Sequence, residues 1–414
     1  MRRILLADAD AFFVAVARQV DPDGAGRAPL LIVGGRPGSR GVVCSASYET
    51  RAFGVRSAMP ISQALRLCPD AMCVPVPRQA CSDTSRAIRR VLSDFTPAVE
   101  GASIDEWYLD LTGTEALYHH EPLEATARRI RAAVIERTGL SVSIGGGPNK
   151  LVAKVAAERA KPSKAPEAGG VHIVPQDGVL PFMATLALAD IPGIGPKLQE
   201  RLANLGMTRV VEVLAQDLAT LERWTDRKTA AWLWRRARGE SDTGVEPRAP
   251  AKQVSREETF GRDLTDRTLL ERELRRLCAK AAADLRGDGL AARTVTVKYR
   301  TNDWDTRTAA RTLREPVESD RAVTETALAL LAQLRAVQKK PARLVGVALS
   351  NFATARDAEQ LAMFGEAAPV LEVARDRDLS RALDAVRAKF GDEAIHSGPK
   401  RERPLGEKGA RKPR

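Results

Sequence analysis

Three acidic side chains stand where they could do chemistry together. Asp8 closes the short apolar run RILLA (3–7), and Asp105-Glu106 sits inside a second apolar stretch, SIDEWYLDL. Residues two apart on a strand share a face, so Asp8 and Asp10 are expected to point the same way. The Asp105-Glu106 pair falls within a predicted hairpin, where neighbouring carboxylates can converge. Acids gathered at the ends of adjacent strands repel one another unless a cation sits among them. Mg²⁺ suits such a place, because it takes one or two protein carboxylates and fills its remaining positions with phosphate oxygens and water. Two such ions about 3.5–4 Å apart stabilise both the attacking and the leaving oxygen in phosphoryl or nucleotidyl transfer. Taken alone, Asp-x-Asp is equally a pair of solvated loop acids, and the surrounding residues must decide.

Other groups have the chemistry of phosphate recognition. Ser45, Tyr48 and Arg51 stand three apart in SASYETR, on one helical face if that segment is helical. A hydroxyl, a phenol and a guanidinium suit a triphosphate, to which Arg gives bidentate, charge-assisted bonds; an ordinary exposed helix turn could carry the same three. Ile191-Pro-Gly-Ile-Gly-Pro-Lys197 reads as a helix-hairpin-helix turn. There Gly193 and Gly195 let the backbone approach a phosphate, the next helix offers free N–H groups, and Lys197 adds a charge. In ARTVTVKYR, Val295, Val297 and Tyr299 alternate with Thr294, Thr296, Lys298 and Arg300. That polar face suits DNA phosphates without reading bases, and equally suits plain solvent.

These groups need elements to hold them. A buried strand over RILLA is followed by a helix from about Ala11. The strand PLLIV interrupts a Gly-, Pro- and Asp-rich stretch at 20–40, and a short helix begins after Pro60. Next are predicted a helix at 80–95, a strand–turn–strand at 102–112, a helix at 122–138, the strand SVSIG and a helix from Asn149. Residues 163–170 are a loop by composition, and 176–240 hold short helices punctuated by Pro192, Gly193, Gly195 and Gly206. After a linker at 241–251 come a strand at 251–260, a helix at 268–286, strands at 293–301 and 306–314, a helix at 319–337 and a strand at 343–350. This β-α-β-β-α-β order is a split βαβ unit, a small domain of its own. The last residues, 397–414, hold seven Lys/Arg and two Glu and read as a disordered basic tail.

Composition narrows the class. A chain of 414 residues exceeds one compact core and implies several domains. Hydrophobic and charged contents of 44% and 29% describe a globular protein. A net charge of +12 favours a polyanionic partner, nucleic acid above all, while 4% aromatic residues argue against reading single strands mainly by stacking. No apolar run approaches the ~18 residues of a membrane span. MRRILLA meets Asp8 and Asp10 too soon for a signal peptide, so a cytoplasmic location is expected. The five cysteines form no CxxC and read as reduced thiols; a zinc site through Cys68, Cys73 and Cys81 is disfavoured. Walker A, HExxH and GxGxxG motifs are absent.

With these residues in view, the chain resembles the Y-family of translesion DNA polymerases, the DNA polymerase IV branch in particular. The resemblance rests on ADADAFFVAV (7–16), GVVCSASYETRAFGVRSAMPISQA (41–64), SIDEWYLDLTG (103–113), GGGPNKLVAKVAAERAKP (145–162) and IPGIGPK (191–197), collinear over the first 240 residues. It implies an α+β multidomain, right-handed polymerase with palm (1–10 and 77–175), fingers (11–76), helical thumb (176–240) and a little finger (252–355) of β-α-β-β-α-β order. A clamp-binding segment and basic tail would occupy 356–414. In that resemblance Asp8, Asp105 and Glu106 hold two Mg²⁺ with the Ala9 backbone carbonyl, and Glu106 lies beside the primer 3′-hydroxyl. Phe13 falls at the steric gate, a ring that leaves no volume for a ribose 2′-hydroxyl, while Phe12 reads as a core aromatic. Ser45, Tyr48, Arg51 and Lys161 contact the dNTP. Lys161 precedes Pro162, which pushes it out of helical geometry. Lys150 and Lys154 are i, i+4 on their helix and are expected to touch template backbone or solvent. Ala46 and Ala58 are small fingers residues near the nascent pair. Gln360-Leu361-Ala362-Met363-Phe364 is similar to the peptide by which bacterial polymerases hold the sliding clamp.

The departures are Ala17, where the family usually has Glu, and Trp107, which replaces a small residue and could crowd the palm; 163–170 is also longer than the family's simple turn. The reading is therefore a template-directed, error-prone DNA polymerase, monomeric, without proofreading because this chain has no room for an exonuclease domain. A catalytically silent Y-family-like adaptor would bind DNA and clamp without synthesis, but such a protein is expected to lose metal carboxylates, and all three are present. A helix-hairpin-helix nuclease or glycosylase does not explain the palm motifs, and a nucleotide cyclase needs neither thumb-like turn nor basic tail.

Overall fold

β1 (Ile4–Ala9) is buried along its whole length because helices cover both faces of its sheet. The structure is a computed structural model describing residues 2–162, 167, 169–246, 251–354, 371–391 and 394–395. The chain divides into two compact units, 1–249 and 250–414.

In the first unit, β1 leads into α1 (Phe12–Val20), then β2 (Leu31–Gly34), β3 (Val43–Ala46), α2 (Tyr48–Ala52), α3 (Ile61–Leu67) and β4 (Met72–Val74). α4 (Arg78–Ser93), β5 (Val99–Gly101), β6 (Glu106–Asp110), α5 (Leu123–Thr138), β7 (Val142–Gly147), α6 (Lys150–Ala160) and β8 (Val171–Ile173) follow. Five strands form one sheet in the order β5-β6-β1-β7-β8, and β3-β2-β4 form a smaller one. Alternation on β1 serves two cores. Leu5, Ala7 and Ala9 pack with Phe12, Ile88, Leu92, Ile130 and Val134 from α1, α4 and α5. Ile4 and Leu6 pack with Tyr108 and with Ala153 and Ala157 of α6.

That second contact depends on glycine. A Cβ on Gly145 of β7 would lie 2.0 Å from the Ala157 nitrogen and 2.2 Å from the Ala153 oxygen. The helix backbone thus rests directly on the strand backbone, and alanines on α6 complete the close approach. Trp107 does not crowd the acidic face: it is buried with Leu109 in the α4/α5 core, on the opposite side of β6 from Glu106 and Tyr108.

The short helices α7 (Val179–Ala184), α8 (Pro196–Ala203), α9 (Val210–Leu214), α10 (Leu218–Trp224) and α11 (Arg227–Ala237) complete the unit. They share a core with Leu151, Val152 and Val155 of α6. Within 241–246, expected as the start of a linker, Val245 packs against the cluster of Ile4, Leu6, Tyr108, Ala153 and Ala157, and Glu246 N–H donates to Glu100 at 2.9 Å.

The second unit has β9 (Gln253–Leu264), α12 (Arg267–Gly287), β10 (Leu290–Thr301), β11 (Thr306–Val317), α13 (Asp320–Val337), β12 (Ala342–Thr354) and α14 (Ala374–Phe390). The strands are antiparallel neighbours in the order β11-β10-β12-β9, so each βαβ is split by a strand between its two strands. α12 and α13 cover one face with a leucine-rich core that includes Val295, Val297 and Tyr299. The edge strand β9 carries Arg256, Glu257 and Glu258, charges that discourage further strand pairing.

α14 corrects the expectation of a clamp segment and tail throughout 356–414. It docks through polar groups, with Ser380 its buried residue. Ser380 Oγ accepts from Asp320 N–H at 3.1 Å, and Arg286 pairs with Asp320 at 2.9 Å and Asp384 at 2.7 Å. With no strong apolar stripe to announce it, periodicity passes the helix over. Gln360, Leu361, Met363 and Phe364, the 397–414 tail and most of 163–170 lie outside the described residues. Among the described residues no helix is long and apolar enough to cross a membrane.

Candidate active site

Antiparallel pairing of β1 with β6 sets Asp8 directly opposite Glu106. Asp105 is fixed one residue earlier, where Ala9 N–H donates to its carbonyl oxygen at 2.9 Å. The register therefore brings the three acids of two distant segments to one end of the sheet. Like charges directly opposed across a strand pair are destabilising, and the structure shows what offsets them. Lys154 Nζ donates to both Glu106 oxygens, at 2.7 and 2.6 Å. Lys161 Nζ lies 3.1 Å from Asp8 Oδ2 and also donates to Glu158 at 2.5 Å. The Asp105 carboxylate accepts from Ser103 Oγ. Among the described residues no three His, Cys, Asp or Glu side chains form a ready metal cluster.

Burial raises the Asp8 carboxyl to about 7, and the nearby Lys161 lowers it only in part. Burial also pulls on Lys161, but Asp8 and Glu158 outweigh it and hold the ammonium above its usual range. Hard carboxylate oxygens on adjacent strand ends, one of them pushed towards neutrality by burial, fit a divalent cation of the magnesium class. Asp10 is already satisfied: it accepts from Ser141 Oγ and Ser143 Oγ, both at 2.7 Å.

The phosphate-type residues sit on two elements where one helical face was expected. Ser45 is buried in β3, while Tyr48 and Arg51 are on α2. The break comes at Ser47, whose side chain caps α2 by accepting from Thr50 N–H and is itself held by Pro29 O at 2.8 Å. Arg51 Nε donates to Ala46 O at 2.9 Å, and its guanidinium stands 4.9 Å from the Tyr48 ring. Burial raises the Tyr48 phenol, and Asp10 raises it further against the pull of Arg51 and Lys161. Tyr48 thus borders the acidic end of the larger sheet.

Phe12 is buried in the core, and half-buried Phe13 meets it edge-on with ring centroids 5.4 Å apart. Ala11, just before α1, is left-handed at φ 45°, a conformation that costs an L-residue about 1–2 kcal/mol. That kink turns the chain from β1 into α1 and sets the direction of both rings. Ala46 lies in the core of the small sheet, away from any surface, while Ala58 is exposed.

Lys150 and Lys154 do not stand free as expected. Lys150 pairs with Glu100 at 2.7 Å and lies 4.7 Å from the Tyr108 ring centre. Their i, i+4 spacing is legible in the sequence, but nothing local names Glu100 and Glu106 as the acids beneath them. At 191–197, Gly193 has φ 99° and faces the Trp232 ring, Gly195 is open, and Lys197 is exposed just inside α8. In the second unit Lys298 reaches Glu257 at 2.7 Å across Gly346, which occupies the intervening register position without a side chain. Arg300 Nε donates to Thr306 at 2.7 Å.

Comparison with known proteins decides the family. The impB/mucB/samB family model matches residues 7–158, its C-terminal domain 251–363, and its helix-hairpin-helix motif 176–207. The chain is 36% identical over 398 residues to DNA polymerase IV of Dehalococcoides mccartyi strain CBDB1, covering 96% of this chain and 97% of that relative. The chain belongs to the Y-family of DNA polymerases. DNA polymerase IV of Caulobacter vibrioides is also 36% identical, over 94% of this chain and 92% of its own length. A solved Y-family DNA polymerase chimera covers 85% of this chain and 99% of its own, at 26% identity and a TM-score of 0.74. DinB from Sulfolobus solfataricus covers the same shares at 27% identity and a TM-score of 0.57. The fold is thus the right-handed polymerase: the five-stranded sheet belongs to the palm, the small sheet to the fingers, the short helices to the thumb, and the split βαβ unit to the little finger.

Proposed function

We propose that this Y-family polymerase performs template-directed, error-prone translesion synthesis at Asp8, Asp105 and Glu106. The observation that carries the reading is the β1–β6 register, which opposes Asp8 and Glu106 and leaves their charge to be balanced by Lys154 and Lys161. Asp8, Asp105, Glu106 and the Ala9 carbonyl would hold two Mg²⁺, whose chemistry is to stabilise the attacking primer 3′-oxygen and the departing pyrophosphate. Glu106 would stand beside the primer 3′-hydroxyl and help remove its proton. Asp105 would complete the set, its carboxylate being held in the metal-free protein by Ser103 Oγ. Tyr48, Arg51, Ser45 and Lys161 orient the triphosphate, with Arg51 giving charge-assisted bonds. Phe13 closes the space a 2′-hydroxyl would need.

For DNA, the helix-hairpin-helix at Gly193, Gly195 and Lys197 suits the duplex backbone, and the open little-finger face around Lys298 and Arg300 suits phosphates without base reading. Primer-template DNA and dNTPs are the partners, with one Dbh relative solved as an insertion ternary complex. Gln360, Leu361, Met363 and Phe364 are proposed to engage a sliding clamp; deleting 360–364 should spare bare-primer extension and abolish stimulation by clamp. Retention of all three carboxylates argues against the silent adaptor. Primer extension with Mg²⁺ tests the reading: Asp105→Ala and Glu106→Ala should fail to incorporate dNTPs, and wild-type incorporation by both would refute it.

A further inference from the structure

One helix supplies the cations for the palm acids. Lys150 and Lys154 lie a turn apart on α6, and Lys161 caps its end. They meet Glu100, Glu106 and Asp8 respectively. Two of these lysines have further anchors. Lys150 lies over the Tyr108 ring, and Lys161 divides its charge between Asp8 and Glu158. Lys154 meets Glu106 alone among the described residues, and it takes both carboxylate oxygens. The pair is partly shielded, with side-chain exposures of 33% and 22%. Glu106 is in turn opposed to Asp8 across the strand pair. Removing the ammonium would leave two facing carboxylates with one cation between them.

We infer that Lys154 is a positioning residue, the resident counter-ion of Glu106, holding its carboxylate in the metal-free protein and yielding it when a divalent cation binds. The inference rests on the reading of Asp8, Asp105 and Glu106 as metal ligands. It has two consequences of opposite sign. Lys154 stabilises the metal-free palm, where an unpaired carboxylate would be costly. It also weakens divalent-ion binding, because the ion must displace an ammonium already bonded to both oxygens. A lysine that merely braced the fold would have the first effect without the second. The close seating of α6 on Gly145 sets the height of Lys154 above Glu106, so helix packing and metal affinity are coupled through this side chain.

The test is Mn²⁺ binding to the full chain without DNA or nucleotide, followed by the electron paramagnetic resonance of the free ion, with metal-free melting measured alongside. Lys154→Met should bind Mn²⁺ about tenfold more tightly, equivalent to about 1.4 kcal/mol. Its metal-free Tm should fall, and the rise in Tm on adding Mn²⁺ should grow. Lys154→Arg, which keeps a bidentate cation, should return towards wild-type affinity, and Lys150→Met should leave affinity unchanged. If Lys154→Met does not fold, Lys154→Gln is read the same way. Unchanged or weaker Mn²⁺ binding in the uncharged variant overturns the counter-ion role. Asp8→Asn and Glu106→Gln separate the two layers: if neither weakens Mn²⁺ binding, the ligand reading falls, whereas if both do and the Lys154 variants show no gain, only the counter-ion role falls.

Discussion

The palm sheet opposes Asp8 and Glu106 at one strand end and answers them with lysines, whereas the little-finger sheet spreads Thr294, Thr296, Lys298 and Arg300 along an open face. Both have antiparallel central strands and helices on at least one side, the palm sheet adding one parallel edge strand, β8. In the palm, α6 covers the acidic face closely, so charges there are partly desolvated and must be matched one by one. In the little finger the helices lie on the other face, and its polar side chains remain in contact with water. The first arrangement suits fixed geometry around reacting atoms. The second suits many weak, screened contacts to a polyanion, with the Lys298–Glu257 pair as exposed as the face that holds it.

This contrast predicts effects of different size. Glu106→Ala should lower primer extension on the order of 10³-fold with the fold retained, as expected for loss of a group that stabilises reacting charge; single-turnover kinetics and circular dichroism measure both. Phe13→Ala should reduce discrimination against ribonucleotides by about 10²-fold, read from competing incorporation of dNTP and NTP. Gly145→Ala would force α6 from β7, costing about 1–3 kcal/mol and lowering both Tm and extension rate. Normal stability and rate in that variant would disconnect helix seating from the site. Lys298→Ala with Arg300→Ala should weaken DNA binding only several-fold. The same pair should flatten the slope of log affinity against log salt by about one for each phosphate left without its cation. Extension at saturating DNA should be unchanged, and a large drop there would erase the distinction between the two sheets.

The motifs make much of the site legible. Asp8 is recognisable from a short apolar run that ends in an acid, Asp105-Glu106 from an acidic pair set inside a second apolar stretch, and the helix-hairpin-helix from its Gly-Pro pattern. The six-element order of the little finger follows from clean alternation of periods. Three features are not legible in this way. Ser45, Tyr48 and Arg51 have helical spacing, yet the helix begins only at Tyr48 because the Ser47 hydroxyl caps it there. α14 escapes because its docked side is made of Asp376, Ser380 and Asp384 instead of leucines. Trp107 is bulky enough to look obstructive beside Glu106, but strand alternation sends it to the other face.

Sequence alone determined which residues bear charge, where turns must form and which runs alternate, because those properties act over a few neighbouring residues. Tertiary structure decided which charges meet. Lys154 and Glu106 are 48 positions apart, and no local rule links them. They meet because a glycine strand lets an alanine-rich helix lie flat on the sheet, and because the β1–β6 register sets Glu106 beside Asp8 beneath that helix. Close packing and strand register convert distant letters into a single electrostatic unit.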